Sequence, residues 1–219
     1  MGKITDIQKQ KRNKTRVSVY IDGEFVCGLD EITAASARIK IGDEISADEL
    51  KAVVCRSEIN SAFERAVNYV SYAPRARREV ERYLSEKGYD KDTISAAVAK
   101  LDEYRYIDDG AYARSYVKSR SAKYGSFRIK SELKRKGIAD AVIDEAVREF
   151  EDESGDGIAD SAAELARKYL RTHKTADRQK TKRFLAARGF AWDDISTVMK
   201  KLERDGVFDG DDECDDAWE

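Results

Sequence analysis

The chain has 219 residues, of which 41 % are hydrophobic and 38 % charged, with 41 basic against 43 acidic side chains. So much charge is hard to expose around one compact core, and an elongated helical array with more surface per residue accommodates it better. No apolar run approaches the roughly 18–20 residues that span a bilayer, and the polar segment Met1 to Lys14 lacks the apolar core of a signal peptide, so a cytoplasmic protein is expected. Cys27, Cys55 and Cys214, odd in number and without a C-x-x-C pair, read as reduced thiols rather than as a disulfide framework or a zinc site.

The first predicted elements are strands. Arg16–Ile21 and Glu24–Leu29 flank Asp22-Gly23, a hairpin signal, although apolar side chains on both faces leave the register open. Arg38–Ile41 is expected to add a strand before a turn at Gly42-Asp43. Ser46-Ala-Asp-Glu49 reads as a capping box with Leu50, Val53 and Val54 behind it, and the helical body starts there. Nine or more helices are expected to follow, and a single proline leaves most of them unbroken. Pro74 suits the first turn of a helix, where its missing N–H costs little.

The body is a three-fold repeat. Leu84-Ser-Glu-Lys87-Gly88-Tyr89, Leu133-Lys-Arg-Lys136-Gly137-Ile138 and Leu185-Ala-Ala-Arg188-Gly189-Phe190 share the form L-x-x-[K/R]-G-apolar. Six residues past each glycine stand Ile94, Ile143 and Ile195. Val98, Val147 and Met199, then Leu101, Phe150 and Leu202, complete one buried helix face. Upstream, Ala66-x-x-Tyr69, Ala113-x-x-Tyr116 and Ala166-x-x-Tyr169 begin comparable stripes. Each unit therefore reads as helix, helix, glycine stop, helix. Glycine takes the left-handed conformation that ends a helix without a Cβ clash, and the Lys or Arg before it complements the negative end of the helix dipole. Asp90, Asp92, Asp140 and Asp193 open the third helices.

Asp108-Asp109 marks the joint between the first two units, and Glu151 to Gly157 reads as a flexible link before the third. From Asp205 to Glu219 there are eight acidic residues and no basic one, which leaves a body of net charge +6. The expected organisation is a β-rich module at 1–46, helical repeats at 47–108, 109–155 and 156–206, and a disordered, solubilising acidic tail at 207–219.

The chain has one histidine, His173, and neither of the glycine-rich nucleotide-binding patterns G-x-x-x-x-G-K-[S/T] and G-x-G-x-x-G, so neither catalysis nor a cofactor is expected. The basic residues say more. Arg114 to Lys136 holds nine Lys or Arg against Glu132 alone, and Arg167 to Arg188 holds nine against Asp177 alone. The third helices lean acidic, so charge is sorted by helix and a basic side could meet phosphates or acidic protein. Tyr116, Tyr124 and Phe127 interleave with the first run; Tyr116, at the repeat position of Tyr69 and Tyr169, reads as core.

Two stretches carry a family resemblance. Tyr106-Ile-Asp108-Asp109-Gly-Ala-Tyr112-Ala113-Arg-Ser-Tyr116-Val117, followed by Gly125-Ser-Phe-Arg128-Ile129-Lys-Ser-Glu132-Leu133-Lys-Arg-Lys136-Gly137-Ile138, resembles the central signature of the RecX family. Arg77-Arg78-Glu79-Val80-x-x-Tyr83-Leu84-x-x-Lys87-Gly88-Tyr89 resembles it too. The resemblance covers about residues 60–150 closely and the third repeat more loosely, and the acidic tail lies outside it. It implies a mainly α protein of tandem three-helix repeats in an elongated, curved body. It also implies a regulator that binds the RecA–DNA filament and mostly inhibits RecA's strand exchange and coprotease activity, some members assisting RecA instead; a monomer is expected. Candidate contacts to the filament or to single-stranded DNA are Lys118, Arg120, Lys123, Arg128, Lys130, Lys134, Arg171, Lys174, Lys182 and Arg183. Reversing Lys130 and Lys134 to glutamate is expected to weaken inhibition with helicity intact. A helical protein that merely competes for single-stranded DNA is the alternative, to be marked by steep salt dependence.

Overall fold

The structure is a computed structural model that describes residues 1–11, 13–155, 157–173 and 175–208. The chain divides into two compact units, Met1–Asp108 and Asp109–Glu219. The first unit holds β1 (Gly2–Lys9), β2 (Arg16–Ile21), β3 (Glu24–Asp30), α1 (Glu31–Ser36), β4 (Glu44–Ile45), α2 (Ala47–Tyr72), α3 (Arg77–Glu86) and α4 (Lys91–Glu103). The second holds α5 (Asp109–Arg120), α6 (Ser126–Arg135), α7 (Asp140–Ser154), α8 (Gly157–Thr172), α9 (Arg178–Ala187) and α10 (Trp192–Arg204). The protein is mainly helical: in chain order a small antiparallel sheet of order β3-β2-β1-β4 is followed by three-helix repeats.

The Asp22-Gly23 hairpin forms as expected, with φ of 52° and 89° at the two turn residues, as a two-residue turn matched to strand twist requires. Its register shifts between Val19 and Tyr20, and this irregularity is why alternation alone did not settle the pairing. The expected strand at 38–41 is absent: Arg38 takes φ 54°, which breaks an extended chain, and the strand of this segment is β4 at Glu44–Ile45. Two elements were not expected, β1 and α1. Along β1 only Ile4 is buried, so the strand carries little periodic signal. Helix α1 is a single six-residue piece capped by Asp30, whose carboxylate accepts from the Thr33 amide at 2.7 Å.

Helix α2 serves two cores. The Ser46–Glu49 capping box starts it. Its first half sets Val53 and Val54 against the sheet core of Ile4, Val17, Val19, Leu29 and Ala34. Its second half gives Ala62 and Ala66 to the first repeat, with Val80, Leu84, Ala97, Val98 and Leu101. Between the halves runs a polar seam. The Asp30 amide donates to buried Ser57 Oγ at 2.7 Å, Asn60 Nδ2 donates to Thr33 Oγ1 at 2.8 Å, and Lys100 Nζ donates to Asn60 Oδ1 at 2.9 Å. Proline ends this helix: Pro74 lies outside any helix, and Ala73 before it is extended (φ −164°, ψ 150°), so the expected helix-opening role is corrected to a stop.

Each repeat then turns on the same device. Gly88, Gly137 and Gly189 have φ of 88°, 87° and 81°. The amides of Tyr89, Ile138 and Phe190 reach back to the carbonyls of Leu84, Leu133 and Leu185, each at 3.3 Å, and these three leucines are fully buried. The expected link before the third repeat is shorter than anticipated: Glu151 to Ser154 continue α7 up to Gly155, and α8 starts at Gly157. Glutamate extends a helix readily, so an acidic run did not mark a loop. Most of the acidic tail, 209–219, lies outside the described residues.

Within the second unit, repeats two and three are joined backbone to backbone. The Gly125 amide donates to the Arg188 carbonyl at 3.1 Å, the Phe127 amide to the Gly189 carbonyl at 3.0 Å, and Arg188 Nη1 to the Lys123 carbonyl at 3.3 Å. A Cβ on Gly125 would overlap Phe190 Cα and the Gly189 carbonyl. The Gly88→Ala variant, with open space at its Cβ, is expected to lose about 1–2 kcal/mol from left-handed strain alone. Gly125→Ala, where φ of −79° suits any residue, is expected to lose more, because this joint must open. Urea unfolding of both variants checks the ranking; an equal or smaller loss in Gly125→Ala would show that the joint does not form in solution.

Candidate partner-binding surface

The first two helices of each repeat bring three side chains into a column. On the first helix stands Tyr69, Tyr116 or Tyr169; on the second, five residues before the glycine, Tyr83, Glu132 or Phe184; and just before the glycine, Lys87, Lys136 or Arg188. In repeats one and three the rings stack, Tyr69 on Tyr83 at 4.1 Å and Tyr169 on Phe184 at 4.2 Å between centroids. The cation then covers the ring, Lys87 at 5.3 Å from Tyr83 and Arg188 at 4.7 Å from Phe184. The basic residue of the repeat motif thus packs on an aromatic face as well as meeting the helix end.

Repeat two replaces the ring by Glu132. The Tyr116 hydroxyl donates to it at 2.6 Å, Arg128 Nε lies at 3.2 Å and Arg120 Nε at 4.0 Å. The hydroxyl bond first, and then the two arginines, hold the Glu132 carboxyl below its ordinary range. Burial, and next the bond to Glu132, push the Tyr116 phenol up. Arg128 also lies over the Tyr124 ring at 4.1 Å, and Lys136 over Tyr112 at 5.5 Å. Tyr116 is half-buried, bonded and covered.

The ten candidate residues separate into three groups. Arg120 and Arg128 converge on Glu132. Lys130 reaches Asp144 at 2.6 Å and Lys134 reaches Asp140 at 2.9 Å, so both pair with the acidic third helix of their own repeat. Reversing those two lysines therefore also sets carboxylates against Asp144 and Asp140, and the simple reading of that variant is lost. Lys182 lies 5.6 Å above the Trp192 ring. By contrast, Lys118 on α5, Lys123 in the α5–α6 turn, Arg171 on α8 and Arg183 on α9 are exposed, and their side chains make no hydrogen bond or ion pair among the described residues. Lys174 lies outside the described residues. Phe127 and Trp192 are both largely exposed, at 65 % and 63 %. The residue run alone left open whether Phe127 packs inward, and Trp192 was not singled out at all. No group of three or more His, Cys, Asp or Glu that could hold a metal occurs among the described residues, and no helix there is long and apolar enough to cross a membrane.

Three helix–helix–stop–helix repeats that follow a four-stranded sheet in the chain define a helical-repeat scaffold. Residues 2–46 match the regulatory protein RecX N-terminal domain, and 62–101, 108–147 and 158–199 match the first, second and third three-helix domains of RecX. The chain is 32 % identical to the regulatory protein RecX of Clostridium tetani over 92 % of its own length and 95 % of that protein. It is also 32 % identical to RecX of Clostridium botulinum, over 95 % and 100 %. A crystal structure of regulatory protein RecX superposes with a TM-score of 0.73 at 28 % identity, covering 93 % of this chain and all of that one. RecX from Lactobacillus salivarius superposes with a TM-score of 0.62 at 30 % identity, covering 67 % and 97 %. The chain belongs to the RecX family, whose members are regulatory proteins rather than enzymes.

The Glu132 network makes a pH-dependent contribution. Its carboxyl is depressed in the folded state, so the stabilisation is present above the unfolded value of about 4.3 and is lost as pH falls through the folded value. Urea midpoints recorded from neutral to acid pH are expected to show a smaller acid loss for Glu132→Gln than for the parent chain, with the variant less stable at neutral pH. Parallel curves would mean that Glu132 carries no such coupling.

Proposed function

We propose that this protein binds the RecA–DNA filament as a cytoplasmic monomer, without a cofactor, and restrains RecA's ATP hydrolysis, strand exchange and coprotease activity. The observation that carries this reading is family membership across the whole body, with the N-terminal and all three repeat domains matched in order. The charge distribution supports it: Lys118, Lys123, Arg171 and Arg183 are exposed cations whose side chains have no partner among the described residues, which suits acidic protein or phosphate. Tandem repeats can meet a filament at several points, and linked weak contacts raise the effective concentration of each other. The same four cations favour a second reading, direct competition for single-stranded DNA.

RecA ATP hydrolysis on single-stranded DNA separates the two. Suppression by the protein well below one molecule per RecA supports action on the filament. Suppression only at amounts that coat the DNA, erased by moderate salt, supports competition, and no effect removes the RecA reading. In the same assay the pair Lys118→Glu and Lys123→Glu is expected to weaken suppression several-fold. Neither side chain has a hydrogen-bond or ion-pair partner among the described residues, so the unfolding free energy is expected to stay within about 0.5 kcal/mol of the parent. Unchanged suppression would take these two residues out of the contact surface.

A further inference from the structure

The three repeats test one another. Where they agree, the residue serves the fold; where one departs without structural consequence, the departure needs another reason. Two departures stand out. Ten residues before the glycine stop the repeats carry Arg78, Phe127 and Gln179, and three residues after it Lys91, Asp140 and Trp192. All six positions are exposed. The sister repeats form the same helices and the same stop with polar residues there, so the fold requires no aromatic ring at either place. Yet Phe127 and Trp192 are among the most exposed large apolar side chains of the second unit.

The residues that carry these two rings come from different repeats, and the joint described above brings their backbones close together. The Phe127 amide bonds to the Gly189 carbonyl, and three residues of chain, at most about 10 Å, separate Gly189 from Trp192. Aromatic side chains, tryptophan above all, are the residues that carry binding energy at protein interfaces. The surrounding charge is mixed. Lys182 covers one side of Trp192, and Lys123 lies two residues before the Gly125 contact. Asp193 and Asp194 follow Trp192 directly, and Glu151 is close enough to Asp194 that repulsion between them adds to burial in raising the Glu151 carboxyl. With Lys182, Lys123 and Arg128 on one side of the balance and these carboxylates on the other, the charge around the joint is mixed, which suits the rim of a protein interface rather than the uniformly basic groove that a phosphate backbone favours.

We propose that Phe127 and Trp192 form a two-ring docking site for apolar pockets on a partner protein. Under the function proposed above, on which this inference rests, that partner is the recombinase of the filament and not its DNA. The two glycines of the joint, Gly125 and Gly189, are then positioning residues for the site.

The test uses the full chain and lets the repeats supply the substitutions. Phe127→Gln and Trp192→Asp install the residues of repeats three and two; Phe127→Arg and Trp192→Lys, the residues of repeat one, are a second set should either of the first fail to fold. Binding is measured to RecA filaments on a single-stranded oligonucleotide and to the same oligonucleotide without RecA. The expected result is filament affinity about tenfold weaker or more for each single variant, with unchanged affinity for bare DNA and an unchanged unfolding midpoint. Filament binding by the parent with no loss in folded variants overturns the docking site and leaves the functional reading standing. A parallel loss on bare DNA overturns it in favour of a nucleic-acid platform. No filament binding by the parent chain overturns both.

Discussion

A helix that must stop and turn back on its own last turn is the constraint on which this structure rests. At Gly88, Gly137 and Gly189 the backbone enters a region closed to side-chain-bearing residues except under strain. The amide beyond it closes on a leucine carbonyl five residues earlier. That bond sets the direction in which the third helix leaves. It also places the leucine inward and brings the residue after the glycine, Tyr89, Ile138 or Phe190, onto the last turn. At the third stop two further carbonyls, those of Arg188 and Gly189, accept the amides of Gly125 and Phe127 from the neighbouring repeat. A local backbone rule thereby becomes a rule for joining repeats, provided the approaching residue has no Cβ.

Charge follows the same local logic. The basic first and second helices and the acidic third helix of repeat two are neighbours, and Lys130–Asp144, Lys134–Asp140 and Arg114–Glu149 join them. Exposed pairs of this kind contribute little to stability, typically under about 1 kcal/mol each. Their larger effect is to decide which cations are already occupied. A charge run that looks uniform in sequence thus resolves into residues held by Glu132, residues held by the acidic helix, and exposed residues without a partner among those described.

The repeats were legible because their signal is doubly periodic: a helical stripe of apolar residues, itself recurring with each glycine stop. The capping box at Ser46 and the Asp22-Gly23 turn were legible because their chemistry is local. What was missed depended on distant chain. Strand β1 exists through its pairing with β2 and β4 and has one buried side chain to announce it. Arg38 takes a left-handed conformation that its residue type does not advertise. Pro74 was compatible with either end of a helix, and only the extended Ala73 decides between them. In the candidate surface, pairing was the hidden variable. Nothing in the run from Arg114 to Lys136 says that the Lys130 side chain meets Asp144 while that of Lys123 has no ion-pair partner among the described residues, because the choice is made by where α7 packs.

The same contrast explains how a repeat protein can separate folding from recognition. Positions fixed by the stop and the buried stripe recur in all three units, and the stacked column in the first and third, since each unit must satisfy the same backbone and the same core. Positions on the outer face of the second helix and at the entry to the third are released from that demand, as Arg78, Gln179, Lys91 and Asp140 show. Glu132 marks an intermediate case. It replaces an aromatic ring in the column yet preserves packing, because a hydroxyl bond and two arginines do there what ring stacking does in the sister repeats. The substitution leaves Arg120 and Arg128 tied inward, and the outward chemistry of that repeat passes to Lys118, Lys123 and Phe127. Specialising one repeat inside a repeated frame therefore requires few changes, and those changes are found by comparing the units with one another.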